Sequence, residues 1–175
     1  MSFQRGLEME TGTLGRWPMI AITVMRVFVG WHFLYEGIAK LTATSWSGAG
    51  YLKQARGPFA EWFRWLASQP NLLANADQIT MWGLTIVGLC LVLGLFTRLA
   101  ALGGIVFILL FYFANPPFVG YFYSLPTEGS YLIVNKNVVE LCALLVILVT
   151  GSGRFAGLDR IIHGLLGRRP RLAAA

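Results

Sequence analysis

Residues 17–41 read WPMIAITVMRVFVGWHFLYEGIAKL, and the reading of this stretch decides the fold. A helix needs about 20 mostly apolar residues to cross the hydrocarbon of a bilayer. The run is long enough, yet it carries Arg26, His32, Glu36 and Lys40. Each ionisable group is costly at membrane depth, so all four must face protein or a wet cavity. The rest of the chain has to supply their partners.

Helical spacing sorts the polar positions. Arg26, Gly30, Phe33, Gly37 and Lys40 recur at steps of three and four, which sets them along one stripe. Two glycines on that stripe admit close approach of another helix. His32, Glu36 and Lys40 form a second series beside it, at steps of four.

Composition agrees with a membrane setting. The 175 residues are 56% hydrophobic and 13% charged, with mean hydropathy +0.62, whereas soluble domains are about 25% charged. The chain reads as one all-α domain over residues 1–175, an integral membrane four-helix bundle with short interfacial helices. Spans are expected at about 17–41, 78–96, 99–114 and 131–150, and surface helices at about 58–68 and 156–166. Pro18 suits a first helical turn, and the short turn at Thr97–Arg98 forces the second and third spans to pack antiparallel. Pro116 and Pro117 stop the third span. In the run from Pro58, Glu61, Arg64 and Ser68 share one face, and Phe59, Trp62, Phe63 and Leu66 cover the other. That pattern fits a helix on the membrane surface or a lid over the bundle mouth.

The net charge of +6 comes from basic residues gathered at the ends, not from a nucleic-acid module, so nucleic acid is excluded as a partner. Arg5, Arg16, Arg98, Arg154, Arg160, Arg168, Arg169 and Arg171 fall on one side of a four-span topology. That side, with both termini, is expected to be cytoplasmic. No small-residue cleavage site follows the first span, which is read as retained. Cys90 and Cys142 lie in apolar runs outside any CxxC pair and read as buried, inert thiols.

Chemistry is expected at the outward ends of the first and fourth spans. The first brings His32, Glu36 and Lys40, and the fourth brings Asn135, Lys136, Asn137 and Glu140. Arg26 and Glu140 differ in level by about 5–10 Å, which a long arginine can bridge. They are expected to form one network, because opposite charges in hydrocarbon are tolerable only when paired. One reading makes that network a structural lock. The other places it beside an outward-opening cavity where proton-accepting side chains meet an amphipathic substrate. Phe118, Tyr121, Phe122 and Tyr123 are either an aromatic belt or the rim of a site for a flat apolar ligand. One histidine within the bundle argues against a metal or haem centre.

Several motifs together carry a resemblance. They are Arg26-x3-Gly30-x2-Phe33-x3-Gly37-x2-Lys40-Leu41, the stretch Gly94-Leu95-Phe96-Thr97-Arg98-Leu99-Ala100-Ala101, Asn135-Lys136-Asn137-x2-Glu140, and Gly151-x-Gly153 followed by Leu158-Asp159. In this order the chain resembles the DoxX/DoxD family of small four-helix membrane proteins. Its second and third motifs are similar to the DoxD side, the membrane subunit of thiosulfate:quinone oxidoreductase. The resemblance implies a multi-pass protein of a bacterial or archaeal cell membrane. It implies electron transfer from a sulfur compound or partner subunit to membrane quinone. Under it, Arg26, His32, Glu36 and Glu140 carry the catalytic proton pathway, and Lys40, Asn135, Asn137 and Tyr121 hold the quinone. The alternative is a non-catalytic structural or assembly subunit of a larger membrane complex. A transporter is the weaker third reading, since no internal repeat is visible.

Overall fold

The computed structural model describes residues 15–123 and 132–166. Arg5, Arg168, Arg169 and Arg171, and the expected start of the fourth span at residue 131, lie outside the described residues. All regular structure among the described residues is helical. The helices are α1 (Arg16–Thr42), α2 (Ala49–Lys53), α3 (Ala60–Ser68), α4 (Pro70–Leu93), α5 (Thr97–Ala114), α6 (Lys136–Thr150) and α7 (Leu158–Leu166), with a 3-10 turn at Ser152–Arg154.

The helix ends follow local chemistry. Pro70 begins α4, where a missing N–H costs nothing. Gly94 ends it in the left-handed region at φ 66°, where glycine carries no steric penalty. Asn135 caps α6, its side-chain oxygen accepting from the Val138 amide at 3.3 Å. α4 begins eight residues before the expected span, because a mixed stretch carrying Asn71, Asn75 and Asp77 continues the helix beyond its uninterrupted apolar part.

Four positions of the expected stripe on α1 are buried, Arg26, Gly30, Phe33 and Gly37, with Val29 beside them, and the fifth, Lys40, is half-buried. They meet α4 along a seam with almost no side-chain layer. A Cβ on Gly88 would lie 2.6 Å from Leu34 Cα, and one on Gly30 would lie 2.8 Å from Leu91 Cβ. α5 and α6 form the second close pair, with Leu144 packed on Gly104. Phe33, Leu84, Leu91, Ala101, Leu144 and Ile147 join the four long helices in one core.

Outside, the bundle is apolar. Phe28, Trp31 and Tyr35 on α1, Ile86 on α4, Val106 on α5 and Val149 on α6 are all more than half exposed. Such a continuous apolar exterior needs lipid rather than water around it. α1, α4 and α5 are long and apolar enough to cross a membrane. α6 is shorter than the fourth span expected. At 15 residues it rises about 22 Å, less than a hydrocarbon core of about 30 Å. Cys142 also departs from expectation. It is exposed on the outer side of α6, in line with exposed Val139, Val146 and Val149, while Cys90 is half-buried; both thiols are free.

The segment between α1 and α4 is a lid. Ala55 and Phe63 bury themselves against Ala114 at the end of α5, and the amides of Arg56 and Gly57 donate to the Ala114 carbonyl. Gly57 is required there, since any Cβ would collide with the Phe113 carbonyl. Phe59 at the start of α3, and Trp62 and Trp65 on it, stay at least half exposed.

Candidate functional site

Beneath the lid lies a cavity of about 880 Å³. Its walls come from the second half of α1, the start of α4, the end of α5, the start of α6 and the lid itself. A volume of this order suits a drug-sized ligand, for which sites run about 300–1,000 Å³. His32, Glu36 and Lys40 line it from α1, and Asn135, Asn137 and Glu140 line it from α6. Six of the eight residues expected at the site therefore surround one space. The i to i+4 spacing set the α1 trio on one face, and packing then turned that face toward the opening turns of α6.

The polar groups form a ladder. Glu140 is mostly buried and its carboxylate lies 3.7 Å from His32 Nε2. One turn further along α1, Glu36 pairs with Lys40. Glu36 also feels the charges of His32 and of Lys136. Lys40 Nζ sits 5.6 Å from the centre of the Trp46 ring, which adds a cation–π contact. Acid and base thus alternate from the bundle interior toward the end of α1.

Aromatic and apolar groups make up the other walls, among them Phe33, Trp62, Phe107 and Phe111. Residues that spacing alone did not single out complete them. Tyr51 donates its hydroxyl to the Phe111 carbonyl at 2.8 Å, and Asn115 Nδ2 donates to the Tyr51 carbonyl at 3.1 Å. Burial pushes the Tyr51 phenol up to about 12, although a hydrogen bond with Asn115 acts the other way. Asn115 is 8% exposed, and its Oδ1 has no hydrogen-bond partner among the described residues. Asp77 holds the lid shut from α4, accepting from Ser47 Oγ at 2.8 Å and from the Gly48 amide at 3.0 Å. The signal for Asn115 was its place before Pro116–Pro117, where a helix ends and its last carbonyls need donors. Tyr51 and Asp77 had no pattern to reveal them.

Two expected residues are elsewhere. Tyr121 is exposed and packs on Phe118, with ring centroids 5.8 Å apart. Tyr123, which donates to the Pro116 carbonyl at 2.7 Å, takes the place on the cavity wall. Arg26 lies at the opposite end of the bundle, and the expected Arg26–Glu140 network divides into two. The Arg26 guanidinium is buried and donates from Nη2 to the Ala156 carbonyl at 2.6 Å. Its Nε and Nη1 find no partner among the described residues, and the field of Asp159 offsets part of the cost of burying its charge.

Asp159 is the centre of that second cluster. Its carboxylate accepts from the Phe96 amide at 2.7 Å and the Thr97 amide at 2.9 Å, capping α5 from α7. Its own amide donates to the Gly94 carbonyl at 2.9 Å. Burial acts to raise its carboxyl pKa, but the Thr97 hydroxyl and the two amides outweigh it and hold the group below its usual value. Gly94, Gly153 and Gly157 are packed so closely here that a Cβ on any of them would strike a neighbour. The Gly94–Ala101 stretch and the Gly151–Asp159 stretch are thus one structural knot around Arg26. Asn135–Glu140 belongs to the cavity.

Among the described residues no three His, Cys, Asp or Glu side chains converge as a metal site would require. A family model described as DoxX matches residues 21–115, from the first half of α1 through Asn115. No curated protein and no solved structure matches the chain.

Proposed function

The chain belongs to the DoxX family of membrane proteins, and from that premise we propose that it is a DoxD-like membrane subunit of a redox complex, whose cavity receives the ring of membrane quinone. The observation that carries this reading is the convergence of the His32–Glu140 and Glu36–Lys40 pairs on an apolar, aromatic cavity of about 880 Å³. The residues fit such a ligand. Phe107, Phe111 and Trp62 offer flat apolar walls. Asn115 Oδ1, without a partner among the described residues, is an acceptor for a ring hydroxyl of the reduced quinone, and buried acceptors are costly to leave unmade.

Quinone, when bound, supplies two-electron chemistry that consumes two protons. The chain's part is to hold and pass those protons. Glu140 keeps His32 oriented toward the cavity, and His32 is the group whose ordinary pKa lies nearest neutrality. Glu36 and Lys40 continue the file toward the end of α1, about 12 Å along the helix from His32 to Lys40. Electrons come from a partner subunit or a sulfur compound. The arginines at the knot end favour a cytoplasmic position for it, with the cavity end outward.

The test uses native membranes containing the chain and its co-purifying partner. Quinone should be extracted with the complex isolated in mild detergent. Glu140→Gln should lower thiosulfate-dependent quinone reduction at least tenfold, as loss of a positioned acid–base group does. Unchanged reduction would refute the assignment of Glu140. An assembled complex holding no quinone and catalysing no reduction would support the structural-subunit alternative.

A further inference from the structure

A second, smaller hollow lies on the outer side of the same two helices. It measures about 160 Å³ and is bounded by Ile108, Leu109, Tyr112 and Phe113 on α5 and by Asn137, Val138 and Leu141 on α6. Its accessible wall is entirely apolar. Apolar space of about 150 Å³ is enough to hold a benzene-sized group. Tyr112 closes one end by donating its hydroxyl to the Ile133 carbonyl at 3.0 Å.

This groove is continuous in its lining with the cavity. Ile108 and Asn137 line both spaces, one from each helix. The two hollows therefore lie at one level, on either side of the α5–α6 seam, and meet at those side chains. The cavity combines aromatic walls with charged and hydrogen-bonding groups, whereas Tyr112 and Asn137 leave only apolar surface accessible in the groove. Outside the groove, Phe113 and Val139 are exposed on the apolar exterior.

We propose that the α5–α6 groove is a lateral port carrying the hydrocarbon chain of the molecule whose ring occupies the cavity. The inference rests on the quinone reading above and adds a requirement to it: the ligand has one long apolar substituent, which leaves sideways into the bilayer. A chain confined in the cavity would compete with the ring for the aromatic wall of Phe107 and Phe111 and would crowd the hydration of Glu36, Lys40 and Glu140 beside it. A chain laid through the seam passes Ile108 and Asn137, then meets the apolar surface of the groove and lipid. Ile108 and Asn137 are accordingly the positions that decide how wide a substituent passes.

Binding to the purified full-length chain in detergent tests this, read by quenching of tryptophan fluorescence, since Trp46 and Trp62 line the cavity. The probes are a decyl-substituted benzoquinone and the same ring without the chain. Leu141→Trp fills the groove from α6, and Leu109→Trp fills it from α5, so failure of one variant to fold leaves the other. Each should weaken binding of the decyl compound at least tenfold and leave the chainless ring bound as in the parent. If the parent binds both rings and the filled variants bind the decyl compound equally well, the port is refuted and the groove holds only a lipid acyl chain. Equal weakening of both compounds also refutes it, because the ring site itself would then have changed. If the parent binds neither, the quinone reading fails, and the port fails with it.

Discussion

Replacing Asp159 by alanine removes the carboxylate that ties α7 to the start of α5. α5 has no side-chain cap of its own, so the Phe96 and Thr97 amides lose the carboxylate that accepts from them at 2.7 and 2.9 Å. Loss of a helix cap costs about 0.5–2 kcal/mol, and hydrogen bonds to a charged acceptor are worth about 1.5–3 kcal/mol. The carboxylate is partly solvated and the two bonds share it, so they do not add in full. Arg26 also loses the nearest balancing charge while remaining buried. Together these give a loss of about 2–4 kcal/mol. At about 2–4 °C per kcal/mol for a chain of this size, the midpoint should fall by about 5–15 °C. Asp159→Asn keeps a carbonyl acceptor without the charge and should lose about half as much. The assay is thermal unfolding in mild detergent, followed by circular dichroism. The acid dependence has a definite sign. The folded pKa lies below the unfolded value, so the stabilisation is present above the unfolded pKa of about 4 and is lost as pH falls through the folded one. The gap between parent and Asp159→Ala should stay constant near neutrality and close below about pH 4. A midpoint unchanged at pH 7 would refute the reasoning, and a gap that persists in acid would show that packing rather than charge held the knot. Arg26→Met in the Asp159→Ala background should cost less than the two single changes summed, since the unbalanced charge is then gone.

Two further changes probe the seam and the lid. Gly88→Ala should destabilise the bundle by about 1–3 kcal/mol, because the new methyl meets the backbone of α1 at Leu34. Gly103→Ala is its control: there the methyl meets only the end of the Val87 side chain at 3.1 Å, and the same melt should move little. Tyr51→Phe should cost about 1 kcal/mol, leaving the Phe111 carbonyl without the phenol donor. Because burial lifts the phenol to about 12, its stabilisation is complete below the unfolded value of about 10 and is lost as pH rises from about 10 to 12. Phenolate absorbance should show that late titration in the parent, and the stability difference between parent and variant should shrink over the same interval.

Particular residues show where reading the chain reached its limit. His32, Glu36 and Lys40 lie one turn apart, so any helix puts them on one face, and that face does line the cavity. Asn135 and Glu140 stand in the opening of a helix whose cap is visible in the chain. Arg26 was misassigned to the same network because its level on α1 is known from the rise per residue, but its partner is not. The carbonyl it meets at Ala156 and the charge it feels from Asp159 both lie beyond every span, and nothing local to Arg26 couples it to them. The start of α4 was misplaced for a different reason. Hydropathy reports where a helix meets lipid, not where its hydrogen bonds begin, and the stretch from Asn71 to Gln78, interrupted by Asn75 and Asp77, is helical without being a continuous apolar run.

The amino-acid order alone determined that the protein is helical, that its long helices are apolar outward, and which side chains share a face. Those properties depend on composition and on the 3.6-residue turn, both of which are local. Tertiary structure decided which charges meet, that a lid encloses a cavity, and that the cavity adjoins a groove on the lipid side. These depend on the rotation and depth of each helix against its neighbours. Contacts such as Gly88 on Leu34 and Asp159 on Phe96 set that rotation and depth, and they join residues far apart along the chain.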